Sequence, residues 1–235
     1  MCYGGALCAA RRGFLAQPFS GGERMATRSL VAGRMPSVLP KYILFAVFGA
    51  LVVVVWITRD RSLLDPNSFL RQRYAPISML MLLHGVPGTV ALFLGVFQFS
   101  SRLRQRYLQA HRIMGWTYVV STAIAAPVAV VVSARLPIPT LLPASTIQAL
   151  GWVLATGTAI YCVRIGKIQQ HREWMMRGYP FAVVFLVVRA IVAIPAIARM
   201  GLLGLATVVW SAIAVAGVLP SFLIEWQRLT ASQRR

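Results

Sequence analysis

The feature that most constrains this chain is a series of six long apolar runs, each near the roughly 20 residues that cross a hydrocarbon core as a helix. The runs are Tyr42 to Thr58, Ile77 to Phe99, Ile113 to Ala134, Leu141 to Ile165, Trp174 to Ala198 and Leu202 to Leu223. The strands of a membrane β-barrel would alternate apolar and polar residues over about 10 positions, and these runs are continuous. Because lipid offers the backbone no hydrogen-bonding partner, the sequence predicts an all-α integral membrane bundle of about six transmembrane helices.

Composition agrees with a membrane protein. Hydrophobic residues make up 58% of the chain and charged residues 12%, whereas a soluble domain carries about a quarter charged residues. The segments between the runs are too short to bury a core of their own. We therefore expect a disordered Arg-rich tail over 1–40, a transmembrane domain over 41–226 and a short basic tail over 227–235.

The formal charge of +19 and the pI near 11.6 would suggest nucleic acid as the partner of a soluble protein. Here the basic residues are divided among the short links between runs, so topology and anionic lipids account for them and nucleic acid is excluded. More of them fall on the side of the two tails than on the other side. The positive-inside rule then predicts a bacterial-type inner-membrane protein with both termini in the cytoplasm.

Two points of this layout stay open. A count of five spans would move the C-terminus to the outer side. Met1, Met25 and Met35 are alternative start residues. The oligomeric state has no signature in the sequence.

The sequence excludes several kinds of chemistry. The three cysteines show neither a CxxC pair nor ligand spacing, so a disulfide framework or a thiolate metal site is not expected. Zinc is not expected either, because Glu173 is the one acid near the histidines that could help to complete four ligands. No nucleotide-binding loop, nucleophile elbow or paired carboxylates occur, so the chain points to no enzyme class and leaves enzymatic activity open.

Two of the three histidines open apolar runs in similar surroundings. His111 stands in Gln-Ala-His-Arg-Ile-Met-Gly-Trp-Thr-Tyr, and His171 in Gln-Gln-His-Arg-Glu-Trp-Met-Met-Arg-Gly-Tyr. In a six-span topology both lie at the cytoplasmic ends of their helices. Two imidazoles at one depth suit a b-type haem, which needs one histidine on each face of the iron.

The two histidine segments also supply candidate contacts for such a haem. Arginine pairs with propionates through bidentate hydrogen bonds. Besides the two histidines, the candidate contacts of the haem are Arg112, Arg172, Arg177, Tyr118 and Tyr179. The alternative reading is that a His-Arg pair at a membrane face is an ordinary interfacial anchor.

Two ionisable residues lie inside predicted spans, His84 in the second and Arg189 in the fifth. Pro87 frees a backbone carbonyl one turn upstream, and a histidine bonded to that kind of carbonyl would be structural. The alternatives for His84 are a proton relay or a second ligand. Arg189 either snorkels outward, bonds to carbonyls or holds an anion. His84 and Arg189 lie at similar depths, and we expect them to line one pocket in the outer half of the bundle.

The order of these motifs resembles a known family. His-Gly in the second run, Gly-Val-Phe-Gln-Phe at its end, and the two His-Arg segments are similar to a family of predicted bacterial membrane proteins with a domain of unknown function. The resemblance covers most of residues 77 to 190 and implies a multi-pass membrane protein. A looser similarity is to the transmembrane di-haem b-type cytochromes, whose third and fifth spans hold one haem. The fourth run here has no histidine, which removes a ligand of the second haem.

Two hypotheses follow. The first is a membrane redox protein with one b-type haem held by His111 and His171, exchanging electrons with a quinone or similar donor near His84 and Arg189. The second is a haem-free small membrane carrier or anionic-lipid-binding scaffold that uses Arg189. The colour of the purified protein distinguishes them.

Overall fold

The computed structural model of the protein describes residues 75–232 continuously, with 48–50, 52–53, 57, 65, 67–68 and 71–72 in short pieces. Residues 75–232 are helical apart from short turns. After a 3-10 turn at Ala75–Ile77, the helices are α1 (Ser78–Gln98), α2 (Ser101–Arg106), α3 (Leu108–Ala134), α4 (Leu141–Arg164), α5 (Ile168–Val192), α6 (Pro195–Arg199) and α7 (Gly201–Ser232).

Five of these helices are long and apolar enough to cross a membrane: α1 with its preceding turn, α3, α4, α5 and α7. They correspond to the second to sixth predicted runs, so the expectation of an all-α membrane bundle is confirmed. Most of the first run, Tyr42 to Thr58, lies outside the described residues, as does the predicted tail over 1–40. Phe48 and Val52, which are described, are helical and pack against the core.

The helix ends differ from the predicted runs in several places. The third run was predicted from Ile113, but α3 begins at Leu108. The fifth run was predicted over Trp174 to Ala198, but α5 begins earlier, at Ile168, and ends at Val192. Ile194 is extended at φ −66° and ψ 125°, because a residue that precedes proline is disfavoured in the helical region. Pro195 then starts α6. At the C-terminus α7 continues to Ser232, beyond the predicted boundary at residue 226.

Four of the long helices form a ring. α1 packs against α3, α3 against α4, α4 against α5, and α5 closes the ring against α1, while α7 packs outside on α5 and α4. Helices that follow one another in the chain run antiparallel because their links are short, and α5 is therefore antiparallel to α1 as well. Alanines such as Ala91, Ala125 and Ala149 are buried at the contacts, as expected where membrane helices approach closely.

The outer surface of the bundle is apolar. Large side chains such as Leu154, Leu203 and Val218 are more than half exposed, which a soluble protein would avoid over so wide an area. Threonine hydroxyls on these helices, including Thr146 and Thr158, donate to the carbonyl four residues upstream at 2.8 Å. Every such bond satisfies a polar group that lipid would leave unpaired.

Candidate functional site

The two His-Arg motifs lie at one end of the bundle, where α1, α4 and α7 end and α3 and α5 begin. We call it the His-Arg end and the other side the opposite end. His111 is in the first turn of α3 and His171 in the first turn of α5. These helices are diagonal in the four-helix ring, and His111 lies within reach of the charges of His171 and Arg104. Both histidines therefore lie at the same end of the bundle, at the start of diagonal helices.

His171 is oriented by the neighbouring helix. Its Nδ1 lies 2.8 Å from the carbonyl oxygen of Ala159 in α4. A carbonyl only accepts, so Nδ1 carries the proton and Nε2 keeps a lone pair in the neutral ring. A turn at Gly166, with φ +77°, brings the start of α5 back against the end of α4. The geometry leaves Nε2 of His171 as the nitrogen with a lone pair to offer a partner.

His111 is held by Gln98, the last residue of α1. In the amide orientation that satisfies its neighbours, Gln98 donates to His111 Nδ1 at 2.9 Å and to the His111 carbonyl at 3.3 Å. Its amide oxygen accepts from the Gly115 N–H at 3.3 Å. In this arrangement Nδ1 of His111 is an acceptor, so Nε2 bears the proton in the neutral ring. Gln98 thus makes the interhelical hydrogen bonds that its place in an apolar run suggests, with His111 as a partner that the sequence did not indicate.

The arginines of the two motifs have different surroundings. Arg112 and Arg172 are exposed at the His-Arg end. Arg177 is half-buried, with Nη1 3.8 Å from a Glu173 oxygen, Nε 3.4 Å from Ser221 Oγ, and its guanidinium over the Trp174 ring at 5.1 Å. Arg177 is therefore engaged at the contact between α5 and α7, whereas Arg112 and Arg172 face outward.

Both motif tyrosines hydrogen-bond in the core of the bundle. Tyr118 is 1% exposed, and its hydroxyl accepts from Trp152 Nε1 at 2.8 Å, joining α3 to α4. The Tyr179 hydroxyl donates to the Leu92 carbonyl at 2.8 Å and so joins α5 to α1. The ring of Tyr179 lies over Gly95, where a Cβ atom would collide with it. Each tyrosine therefore holds two neighbouring helices of the ring together.

Glu173 is a residue whose role sequence reasoning missed. Its side chain is buried and pairs with Arg228 of α7, with Arg177 of its own helix, and with Gln169 Nε2 at 3.2 Å. Arg228 also pairs with Glu225 at 2.7 Å. The spacing of Glu173 and Arg177, four residues apart on a helix, is a signal for such a pair. Arg228 had no comparable signal because it lies 55 residues away in sequence.

His84 and Arg189 line a single cavity toward the opposite end, in α1 and α5 respectively. Nδ1 of His84 lies 3.0 Å from the carbonyl oxygen of Ala125 in α3. The carbonyl therefore belongs to a neighbouring helix and not to the turn that Pro87 opens. Arg189 stacks over the Phe185 ring at 4.2 Å. Within the described residues, no group of three or more His, Cys, Asp or Glu side chains is placed to hold a metal ion.

Together, the helices, the apolar surface and the polar ends define a multi-pass membrane protein. The family model described as "Predicted membrane protein (DUF2306)" matches residues 81–226. The chain belongs to this family, which confirms the resemblance drawn from its motifs. No curated protein and no solved structure matches. The likeness to transmembrane b-type cytochromes stays a hypothesis that rests on the layout of the histidines.

Proposed function

We propose that this protein is an electron-transfer protein of the membrane that binds one b-type haem, with His111 and His171 as axial ligands. The supporting observation is that these residues stand at the same end of diagonal helices in a four-helix ring, where the charge of His171 acts on His111. A bis-histidine haem takes one imidazole on each face of the iron. Cofactor sites in helical bundles are built from side chains on facing helices.

The imidazole of His171 fits this role as it stands. Its Nδ1–H donates to the Ala159 carbonyl. Histidines that ligate metals usually make this kind of second bond, which fixes the tautomer and turns the other nitrogen toward the metal. Bound haem would supply one-electron chemistry, and Ala159 would hold the His171 ring in place during it.

The imidazole of His111 fits only after a change at Gln98. Ligation through Nε2 requires a proton on Nδ1, where the Gln98 amide now donates. Rotation of that amide by half a turn would present its oxygen to Nδ1–H. It would give up the bond from the Gly115 N–H and the bond to the His111 carbonyl. In this proposal Gln98 selects the tautomer of His111 and so acts as a positioning residue.

The charges at the His-Arg end favour an anionic cofactor there. Arg112 and Arg172 are exposed beside the two histidines, and Arg104 lies close enough to His111 to act on its charge. Guanidinium groups pair well with carboxylates such as propionates. Arg177 is the weaker candidate, since Glu173 and Ser221 already engage it.

The electron partner is proposed to be a quinone or a similar donor that approaches at the His-Arg end. Arg189 lies 18 residues beyond His171 on α5, about 27 Å along the helix at ~1.5 Å per residue. A molecule in the cavity beside Arg189 would therefore not touch a haem held by His171. We place the His-Arg end in the cytoplasm of a bacterial-type inner membrane, where anionic lipids would contact its arginines.

The test is the reduced-minus-oxidised visible spectrum of the full chain, purified in detergent after expression with added haem. The expected result is a b-type α-band near one haem per chain. His111→Ala and His171→Ala should each lose it, and His84→Ala, the matched control, should keep it. Monodispersity and helical circular dichroism verify that each variant is folded. A colourless folded wild type, or a band lost only in His84→Ala, would overturn the proposal.

A further inference from the structure

A cavity of about 270 Å³ lies in the half of the bundle away from His111 and His171. Residues of α1, α3, α4, α5 and α7 line it. Its volume is close to the lower end of the range for small-molecule sites and leaves room for an aromatic ring. One side of the cavity is open, so it can receive one end of a ligand while the rest of the molecule extends out of it.

The wall of the cavity is mostly apolar and partly aromatic. Aliphatic side chains such as Ala129 and Val132 form much of it, and three aromatic side chains from α4 and α5 join them: Trp152, Phe181 and Phe185. A largely apolar wall with a few polar groups is the usual composition of a ligand site. Because aromatic rings pack well edge to face or offset against one another, this wall favours a ligand with an aromatic ring.

Three polar side chains of the wall donate to backbone carbonyls of the protein. Nδ1 of His84 lies 3.0 Å from the Ala125 carbonyl oxygen, and Nε2 of Gln148 donates to the Phe181 carbonyl at 2.9 Å. The Ser133 hydroxyl donates to the carbonyl three residues upstream, also at 2.9 Å. Each of these side chains keeps an acceptor: the second ring nitrogen, the amide oxygen and the hydroxyl oxygen. The polar part of the wall therefore favours a ligand that donates hydrogen bonds.

His84 offers the best-defined of these acceptors. A carbonyl only accepts, so Nδ1 carries the proton and Nε2 of the neutral ring keeps its lone pair. The ring is also held edge-on to Phe185, with the ring centres 5.6 Å apart. His84 is half-buried, and in the part of the chain that the structure describes its Nε2 is not among the polar atoms sealed in the protein without a partner. A ligand in the cavity therefore meets an acceptor that is oriented before binding.

We propose that this cavity binds a neutral phenol that carries an apolar tail, with the phenol hydroxyl donating to Nε2 of His84. The aromatic side chains of the wall pack against the phenol ring, and the tail leaves through the open side. A neutral donor fits better than an ammonium group, because a charge inside the membrane is costly. This site is independent of the haem proposal, since neither His111 nor His171 lines the cavity.

The experiment measures binding of para-hexylphenol by equilibrium dialysis to the full chain in nanodiscs of neutral phosphatidylcholine, with empty nanodiscs as the correction for partition into lipid. The matched probe is its methyl ether, para-hexylanisole, which keeps the ring and the tail but cannot donate. The wild type should bind the phenol saturably and about fivefold more tightly than the ether. His84→Phe keeps a ring and removes the acceptor, so this preference should fall toward one. Ala129→Leu should abolish saturable binding by filling the cavity.

A control variant separates the cavity from general effects. Thr146→Val removes a hydroxyl of α4 that is outside the residues lining the cavity, and it should keep the preference for the phenol. Three results would overturn the proposal: no saturable binding to the wild type, equal binding of the two probes, or a preference for the phenol that survives in His84→Phe. The comparison of the two probes on the wild type needs no variant, so it keeps the proposal testable should His84→Phe fail to fold.

Discussion

Glu173 of α5 and Arg228 of α7 form an ion pair across the contact between the two helices. The Glu173 side chain is 8% exposed and that of Arg228 is 52% exposed. Arg177 and Gln169 surround the same carboxylate. A buried carboxylate with several charged donors attaches α7 to the ring more firmly than a pair on the surface would.

The first prediction concerns this ion pair. Glu173→Gln removes the negative charge and leaves Arg177 and Arg228 facing each other, so the melting temperature in detergent should fall. Glu225→Gln is the matched control, because Glu225 is exposed and pairs with the same Arg228 at 2.7 Å. Its melting temperature should change little. An equal fall in both variants would show that the burial of Glu173 contributes nothing.

The second prediction concerns the contact of Tyr179 with Gly95. A Cβ at residue 95 would collide with the tyrosine ring, so Gly95→Ala should destabilise the bundle by about 1–3 kcal/mol through overpacking. Gly85→Ala serves as the control, since a Cβ there meets nothing within 4 Å. Unfolding in detergent with increasing denaturant measures both. Wild-type stability in Gly95→Ala would mean that the ring moves aside at no cost.

The third prediction concerns the hydrogen bond between α3 and α4. Trp152→Phe keeps an aromatic ring but removes the Nε1–H that donates to the Tyr118 hydroxyl. Side-chain hydrogen bonds in membrane bundles contribute about 0.6–1.7 kcal/mol, and a loss of that size is expected. Trp116→Phe, at an exposed position of α3, should have little effect on unfolding. Equal stability of the two variants would contradict the role of the bond.

The fold was predictable because a long, continuous apolar run in lipid satisfies its backbone hydrogen bonds by forming a helix. The residues at which the helices begin and end were harder to predict. Ile168 to Arg172 is polar enough to leave the apolar run and still continues the helix, while Pro195 breaks a run that stays apolar through Ala198. Composition alone does not distinguish these two situations.

The candidate sites were predictable only in part. The depth of His111, His171, His84 and Arg189 follows from counting along each run, so their grouping into two ends could be foreseen. The partners of these side chains depend on how each helix is rotated about its axis. Helices that are apolar on every side carry no polar stripe to fix that rotation. The contact of Gln98 with His111 therefore had to come from the structure.

The fourth prediction concerns the orientation in the membrane. Among the described residues between consecutive long helices, Arg102, Arg104, Arg106 and Lys167 lie at the His-Arg end, whereas Arg135 and Arg199 lie at the opposite end. In a variant without native cysteines, Gln105→Cys, at an exposed position of α2, should be protected from an impermeant maleimide added to intact cells, and Ile138→Cys should be labelled. The reverse pattern would place the histidines on the outer side. Labelling of both after lysis verifies that each thiol is accessible.

The fifth prediction follows from the position of Gln98. If haem is bound by Nε2 of His111, Gln98→Glu places a carboxylate where the amide donates to Nδ1. A carboxylate accepts a hydrogen bond from Nδ1–H and makes the imidazole a more basic ligand, which favours the oxidised iron. The midpoint potential should therefore fall in redox titrations of the α-band. Gln109→Glu adds the same charge at an exposed position of α3 and should shift the potential less. An equal or upward shift in Gln98→Glu would mean that Gln98 does not set the tautomer of His111.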